Sequence, residues 1–513
     1  MTQTEQLSKP HAPRPQWRSH VGFILAALGS AVGLGNIWRF SYLCYKNGGG
    51  AFLIPYAIAL FIVGIPVMIL ELGLGHKMRG SAPMSFAKVN KDTRTWEWLG
   101  WWAVICAMYG IMLYYSVIIA WCVKYTFFST TLAWGSDPND FFFNKFLQVS
   151  SGPGVFGDIR SGIMLALVSV WGICWAIVFF GVQKGIERAN KIFMPLLFLL
   201  VGILIVWSCN LKGAGYGISV YLKPDFALLK KPQIWIDAFS QIFFTLSLAF
   251  GIMITYASYL PRKANIVKDA LWISVGNCLF SFFAGFAVFG TLGYMAVSTG
   301  KPIDAVVKES IGLAFVAYPQ AISLMPVFAK VFGVIFFASL VIAGLSSAVS
   351  LVEAFSAAVI DKFHYPRKAV VSSVCITGFI GSIVFTAKSG LYWVDIVDHF
   401  VTHYGLVIVA ILECVVVGWI FKASRLNEHI SHAGEITLSK LWNISICFVT
   451  PAVLLMLLVN DIVKELSSPY EGYPWAALIG IGHHWLGIAL IAALFVAMRP
   501  WKKELEHHDE SEK

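Results

Sequence analysis

Polar side chains, most of them bearing oxygen, recur inside apolar stretches that would otherwise read as plain membrane spans. Ser30, Asn36 and Arg39 share one such stretch, and Gln241, Thr245 and Ser247 share another. Asn277 and Ser281 lie one helical turn apart, Ser346 and Ser347 follow Ala343, and Tyr114 and Tyr115 sit mid-run. Asp395 and Asp398 open a later run. Taken singly, a Ser or Thr in a span bonds to its own helix backbone. Their joint occurrence suggests one cavity, and oxygen-only groups suit hard cations. Nine cysteines are scattered without a CxxC pair. They read as small buried hydrophobes rather than as metal or redox chemistry.

The backbone at two of these places looks wrong for an unbroken helix. Gly29, Gly33 and Gly35 fall mid-span in the segment 28–39. Glycine weakens a helix interior by about 1 kcal/mol relative to alanine. Gly29 and Gly33 alone would fit close helix packing. Arg39 tips the balance towards an unwound stretch, because a charge at that depth costs several kcal/mol unless paired or hydrated. The second place is 241–251, where polar residues punctuate an apolar run. Broken helices at matching positions of two halves point to a transporter's binding site. The halves themselves share too little sequence to claim a repeat directly.

These elements belong to a chain of 513 residues, 58% hydrophobic and only 13% charged, with a mean hydropathy of +0.72. That excludes a soluble enzyme, a disordered chain, a coiled coil and a disulfide-rich domain. Twelve spans are predicted, at 18–45, 50–78, 97–128, 161–181, 190–209, 234–260, 266–297, 326–362, 367–387, 391–421, 438–460 and 474–499. The net charge of +10 reads as topology rather than as a nucleic-acid partner. Lys and Arg gather at 76–95, 181–191, 262–268 and 362–368, placing these loops and both termini in the cytoplasm. The loops 129–160, 210–233 and 298–325 then lie outside, and 311–324 is apolar enough for a short re-entrant helix. His507 and His508 belong to a solvated charged tail.

The stretch Ala31–Phe40 (AVGLGNIWRF) resembles the neurotransmitter:sodium symporter family. So do Asn47–Phe52 (NGGGAF), Lys184–Arg188 (KGIER) and Gln241–Ser247 (QIFFTLS). That family includes the bacterial leucine transporter and the animal glycine, GABA and monoamine carriers, and the resemblance runs from Trp17 to Trp501. It implies an all-α membrane protein with two inverted five-helix repeats, helices 1 and 6 broken, plus helices 11 and 12. The corresponding segments are a cytoplasmic tail 1–16, repeats at 17–209 and 234–421 separated by the outer loop 210–233, a final helix pair 422–499, and a cytoplasmic tail 500–513.

The resemblance also implies roles. One sodium would be held by Ala31, Asn36, Thr245 and Asn277, together with the substrate carboxylate. A second would be held by Gly29, Val32, Ala343, Ser346 and Ser347. The substrate carboxylate would meet Leu34, Gly35 and Tyr115. Its amino group would meet Ala31, Phe244, Thr245 and Ser247. Its side chain would lie among Ser30, Ile111, Phe244, Phe250, Ser347 and Leu351. Monoamine carriers have an aspartate where this chain has Gly33, which favours a neutral amino acid; glycine, taurine and GABA-type substrates stay open. Ser281 stands where chloride-independent members carry a glutamate. Tyr56, Gln241, Thr245, Asn277 and Ser281 would therefore form a chloride site.

Arg39 and Asp398 would gate the outer side, with Tyr115 and Phe244 as a lid. Arg14 and Asp361, supported by Ser258 and Tyr259, would gate the inner side. Gly185 and Pro195 match a motif that lets helix 5 unwind. Ala249 replaces a glycine in the helix 6 break, and Ser41 replaces a common proline. The implied function is sodium-coupled, chloride-dependent import of a neutral amino acid by alternating access; the alternatives are a non-transporting sensor or a gated conductance. It is not an enzyme: no nucleophile–base pair or metal cluster appears in the spans. The absence of a conspicuous cysteine pair or sequon in 129–160 favours a bacterial inner membrane, and a homodimer is left open.

Overall fold

The computed structural model describes residues 14–90, 94–306, 310–325, 327–434 and 436–502. The tail histidines His507 and His508, and most of the predicted 1–16 segment, lie outside them. The described residues are almost wholly helical. They contain two isolated β-bridges, Gly49 with Pro224 and Ile159 with Ala387, and no strand.

Among the described residues, ten helices are long and apolar enough to cross a membrane unbroken. We name them α2 (Gly50–Met78), α3 (Glu97–Ser129), α4 (Ser161–Phe179), α5 (Val182–Cys209), α7 (Ile266–Thr299), α8 (Ala329–Phe363), α9 (Arg367–Thr386), α10 (Gly390–Ile420), α11 (Lys440–Gly472) and α12 (Trp475–Met498). An eleventh, α1, is a pair, His20–Ala31 and Leu34–Lys46, bent by 70°. The remaining pair, Pro232–Thr245 and Ile252–Ala257, is called α6. The predicted count of twelve rests on taking α6 as one span.

Both predicted breaks form. In α1, Val32 closes the first half with ψ 93°, and Gly33 is extended before a short turn restarts the helix at Leu34. Gly29, by contrast, lies within the helix. A Cβ there would come within 2.3 Å of Asn190 Oδ1, so Gly29 serves close packing against α5. In α6, Ser247, Ala249 and Gly251 all take left-handed backbone angles, with φ of 53°, 64° and 70°. That conformation costs a non-glycine residue roughly 1–2 kcal/mol. The break forms despite Ala249 because the fully buried Glu71 of α2 accepts the Ala249 N–H at 2.7 Å.

Some boundaries differ from the sequence reading. α5 begins at Val182, so the charged stretch with Lys184, Arg188 and Lys191 is its first turns rather than a loop. Those turns are held by Glu187, which accepts from Lys191 Nζ, Ser19 Oγ and the Arg18 N–H. Pro195 sits inside continuous helix, and the turn at Gly185 is wide (π-type). In α11 the helix runs on through Asp461 and Glu465 to Ser467, because His403 and Tyr404 of α10 take up those carboxylates. The short apolar helix in the 298–325 loop is present at Leu313–Leu324.

The core is one contiguous apolar cluster through which α1, α3, α6, α7 and α8 run. Helix α2 meets the second half of α6 at Gly75, where a Cβ would lie 2.0 Å from the Ile254 carbonyl oxygen. Gly172 on α4 has nothing within 4 Å. Gly75→Ala should therefore cost about 1–3 kcal/mol through overpacking. Gly172→Ala should stay within about 0.5 kcal/mol. Thermal melts of the two variants in the same detergent check this, with Gly75→Ala melting clearly lower.

Candidate ion and substrate site

The α1 break leaves the last carbonyls of its first half without partners inside the helix. Side chains from other spans converge on them. Ser347 Oγ of α8 lies 3.4 Å from the Gly29 oxygen, 3.1 Å from the Ser30 oxygen and 3.4 Å from the Ala343 oxygen. Ser346 Oγ donates to the Ala343 oxygen at 2.9 Å. Ser347 thus brings Gly29 and Ala343 together, while Ser346 bonds within its own helix and Val32 ends the first half of α1. The result is a cluster of carbonyl and hydroxyl oxygens with no formal charge.

A second cluster forms where α1, α6 and α7 meet. Asn36 Nδ2 lies 3.0 Å from Thr245 Oγ1, 2.8 Å from Asn277 Oδ1 and 2.9 Å from Ser281 Oγ. Asn277 Nδ2 is 3.2 Å from Thr245 Oγ1. Two amide hydrogens of Asn36 cannot satisfy three acceptors. Asn36 Oδ1 meanwhile accepts the Gly33 N–H at 2.8 Å. A half-turn of this carboxamide would point its oxygen at Thr245 and Asn277, converting the cluster to an oxygen cage of the kind a hard cation takes. Ala31, the last residue of the first half of α1, adds a carbonyl that the broken helix no longer pairs.

Tyr56 and Gln241 lie buried next to this cluster. Among the described residues, the Tyr56 hydroxyl and both ends of the Gln241 carboxamide have no hydrogen-bond partner. Tyr56 faces Ser281 and Cys278. A buried polar atom left unpaired costs about 1–3 kcal/mol. The Tyr56 hydroxyl and the Gln241 amide are neutral donors without a partner among the described residues, and beside them Ser281 Oγ donates at 3.3 Å to the Asn277 carbonyl of its own helix, a donor set that fits an anion.

Between the two clusters runs the expected substrate lining. The Leu34 N–H donates to the Tyr115 hydroxyl at 3.3 Å. A Cβ on Gly33 would lie 3.0 Å from both Tyr115 Oη and Ser347 Oγ, and one on Gly35 would lie 3.4 Å from the Phe244 ring. Ser247 Oγ reaches the Ser30 oxygen at 3.2 Å. Ile111, Phe250 and Leu351 are buried.

Arg14 and Asp361 are ion-paired at 2.9 Å, Arg14 Nε donates to Ser258 at 3.0 Å, and the guanidinium lies 5.0 Å from the Tyr259 ring centre. Burial works against the Arg14 charge, but Asp361, Tyr259 and Glu353 outweigh it and hold the guanidinium above its ordinary pKa. The other predicted pair is not joined. Arg39 lies over the Phe244 ring at 4.4 Å and makes no ion pair among the described residues, while Asp398 takes the Tyr114 hydroxyl. One face of the cavity is latched and the other is not.

Sequence reasoning missed several residues here. Ser350 Oγ bonds Ser30 Oγ at 2.8 Å, one turn beyond Ser346–Ser347 on the same helix face. Glu71 and Glu413 are fully buried near each other, each with one oxygen lacking a partner. Glu353 pairs with Arg367 and accepts the Tyr259 hydroxyl at 2.9 Å. The available signal was a carboxylate inside each of three apolar spans, the mark of a functional or structural polar contact.

Comparison with known proteins agrees with this geometry. The profile of the sodium:neurotransmitter symporter family matches residues 14–137 and 133–502. An uncharacterized sodium-dependent transporter of Methanocaldococcus jannaschii is 49% identical over 460 residues, covering 90% of this chain and 93% of that one. A sodium-dependent dopamine transporter of Caenorhabditis elegans is 32% identical, covering 92% and 85%. A sodium- and chloride-dependent GABA transporter 2 of Rattus norvegicus is 32% identical, covering 90% and 83%. With broken α1, its carbonyl–hydroxyl cluster and these relatives in agreement, the chain belongs to the sodium:neurotransmitter symporter family and is a multi-pass, sodium-dependent membrane transporter.

Proposed function

We propose that the protein imports a neutral amino acid together with two sodium ions and one chloride, by alternating access across the cell membrane with both termini inside. The observation that carries this reading is the opening of α1 at Val32–Gly33, onto which Tyr115, Ser347 and Asn36 converge. A carboxylate placed there would meet the Leu34 N–H, the Tyr115 hydroxyl and the Asn36–Thr245–Asn277 sodium. The amino group would meet the carbonyls of Ala31, Phe244 and Thr245, with Ser247 alongside. Ser30, Ile111, Phe250, Ser347 and Leu351 leave no fixed charge for an ionic side chain. Sodium therefore joins the substrate shell, so ion and substrate reinforce each other's binding.

The gates supply direction. In this reading the latched Arg14–Asp361 face is the inner side, and the face of Arg39 and Asp398 is the outer side. Each sodium moving down a tenfold gradient and about 100 mV releases roughly 3.7 kcal/mol. Two of them supply about 7 kcal/mol, enough for a steep substrate gradient even after the electrical cost of carrying chloride inward.

Uptake into proteoliposomes tests the reading, with labelled neutral amino acids and each ion replaced in turn. Saturable uptake that needs sodium and chloride is expected; unsaturable ion flux or binding without uptake would contradict it. Ser281→Glu should remove the chloride requirement while keeping sodium dependence, because the new carboxylate supplies the negative charge. Continued chloride dependence in that variant would remove the anion site from this cluster. Gly33→Ala should raise the substrate KM about tenfold, since its Cβ crowds the Tyr115 and Ser347 oxygens and a tenfold loss corresponds to about 1.4 kcal/mol. An unchanged KM would place the carboxylate elsewhere.

A further inference from the structure

Residue 361 of α8 serves the Arg14 latch, and the next residue does something else. Lys362 is fully buried. Its ammonium has three hydrogens, and three acceptors surround it: a Glu97 carboxylate oxygen at the start of α3, the Val496 oxygen at 2.7 Å and the Ala497 oxygen at 3.2 Å. The last two are carbonyls of the final turn of α12, and Val496 also accepts the Arg499 N–H at 3.1 Å. A cation suits that helix end. Glu97 is equally committed. Its Oε1 also accepts Trp101 Nε1 at 2.8 Å, and its Oε2 accepts Trp501 Nε1 at 2.7 Å. The Trp501 ring lies 5.4 Å from the ammonium, and the Lys502 N–H donates to the Lys362 carbonyl at 3.2 Å.

A buried ion pair is costly unless its remaining donors and acceptors are met. Here every donor of Lys362 is used, by partners on two other helices. The last turn of α8 is therefore bolted to α3 and α12. Neighbouring residues of a helix point about 100° apart, so Asp361 faces a different side of α8. It meets Arg14 and also accepts the Ser81 N–H at 2.8 Å. Arg14, by contrast, stands in a non-helical segment ahead of α1.

We propose that Lys362, Glu97 and Trp501 are positioning residues for the Arg14–Asp361 latch. They hold the Asp361 carboxylate at a fixed place, so opening is a movement of Arg14 and its segment away from a stationary acid. Loosening the bolt weakens the latch although none of the three residues touches Arg14. This rests on the reading of Arg14 and Asp361 as a gate.

The test uses the full-length protein in nanodiscs with Thr255→Cys as a reporter. Thr255 is fully buried, one turn before the Ser258 that Arg14 contacts. Its labelling by a membrane-impermeant thiol reagent is followed, with the unsubstituted protein giving the background. Asp361→Asn should speed labelling. Glu97→Gln, which keeps the side chain's shape, and Trp501→Phe, which keeps an aromatic ring but removes the Nε1–H, should each speed it roughly fivefold, the scale of one hydrogen bond. Neither should add to the effect of Asp361→Asn, because all act through one carboxylate. If Asp361→Asn speeds labelling but Glu97→Gln and Trp501→Phe do not, the positioning role is overturned and the gate stands. Additive effects in the Asp361→Asn background would also overturn it, since the bolt would then act on the fold at large. If Asp361→Asn itself changes nothing, the gate reading falls and the proposal with it.

Discussion

Backbone polar groups at membrane depth must find partners, and the whole arrangement follows from where α1 fails to supply its own. Unwound backbone survives there only when protein surrounds it or it lines a cavity. At Val32–Gly33 both conditions meet. Ser347 takes carbonyls from one side, Asn36 takes the Gly33 N–H from another, and Tyr115 takes the Leu34 N–H from a third. The α6 break lies opposite and is sustained differently, by a buried carboxylate on α2 that accepts the Ala249 N–H. Two unwound segments facing each other create a polar chamber in an apolar bundle.

That chamber is unevenly closed. On one face Arg14 is held by a carboxylate, a hydroxyl and an aromatic ring. On the other, Arg39 rests on Phe244 and Asp398 is taken by Tyr114. A transporter must alternate between such states, and the energy separating them can be only a few kcal/mol. Latches of one or two ion pairs have that scale. In the proposed function, binding at the α1 break is what shifts the balance, by drawing α1, α6 and α8 together.

Much of this was legible because polar atoms in apolar runs are conspicuous. Asn36, Thr245, Asn277 and Ser281 stand out by type alone, as do Ser346 and Ser347, and the structure brings each group together. The α1 bend was legible from Gly33 and Arg39. What stayed hidden depended on partners far away in sequence. Glu71 reads as one acid in an apolar helix until Ala249, 178 positions later, donates to it. Lys362 reads as a loop charge until its neighbours from α3 and α12 are seen. Ala249 argued against a break that a distant carboxylate makes tolerable. The span predicted over 438–460 stopped short, because His403 and Tyr404 take up Asp461 and Glu465 and the helix continues through them.

The central claim is that sodium and substrate share one site at the α1 break, and linkage makes it measurable directly. Calorimetric titration of the purified protein with the proposed amino-acid substrate, in sodium and in choline, gives the substrate affinity with and without the ion. The converse titration with sodium, with and without substrate, gives the reciprocal quantity. The two ratios must be equal, because coupling between bound ligands is reciprocal. Direct contact through Asn36, Thr245 and Asn277 calls for tighter substrate binding in sodium by at least about tenfold, with sodium binding tightened by the same factor. Substrate affinity indifferent to sodium would contradict the shared site, whatever the transport assay showed.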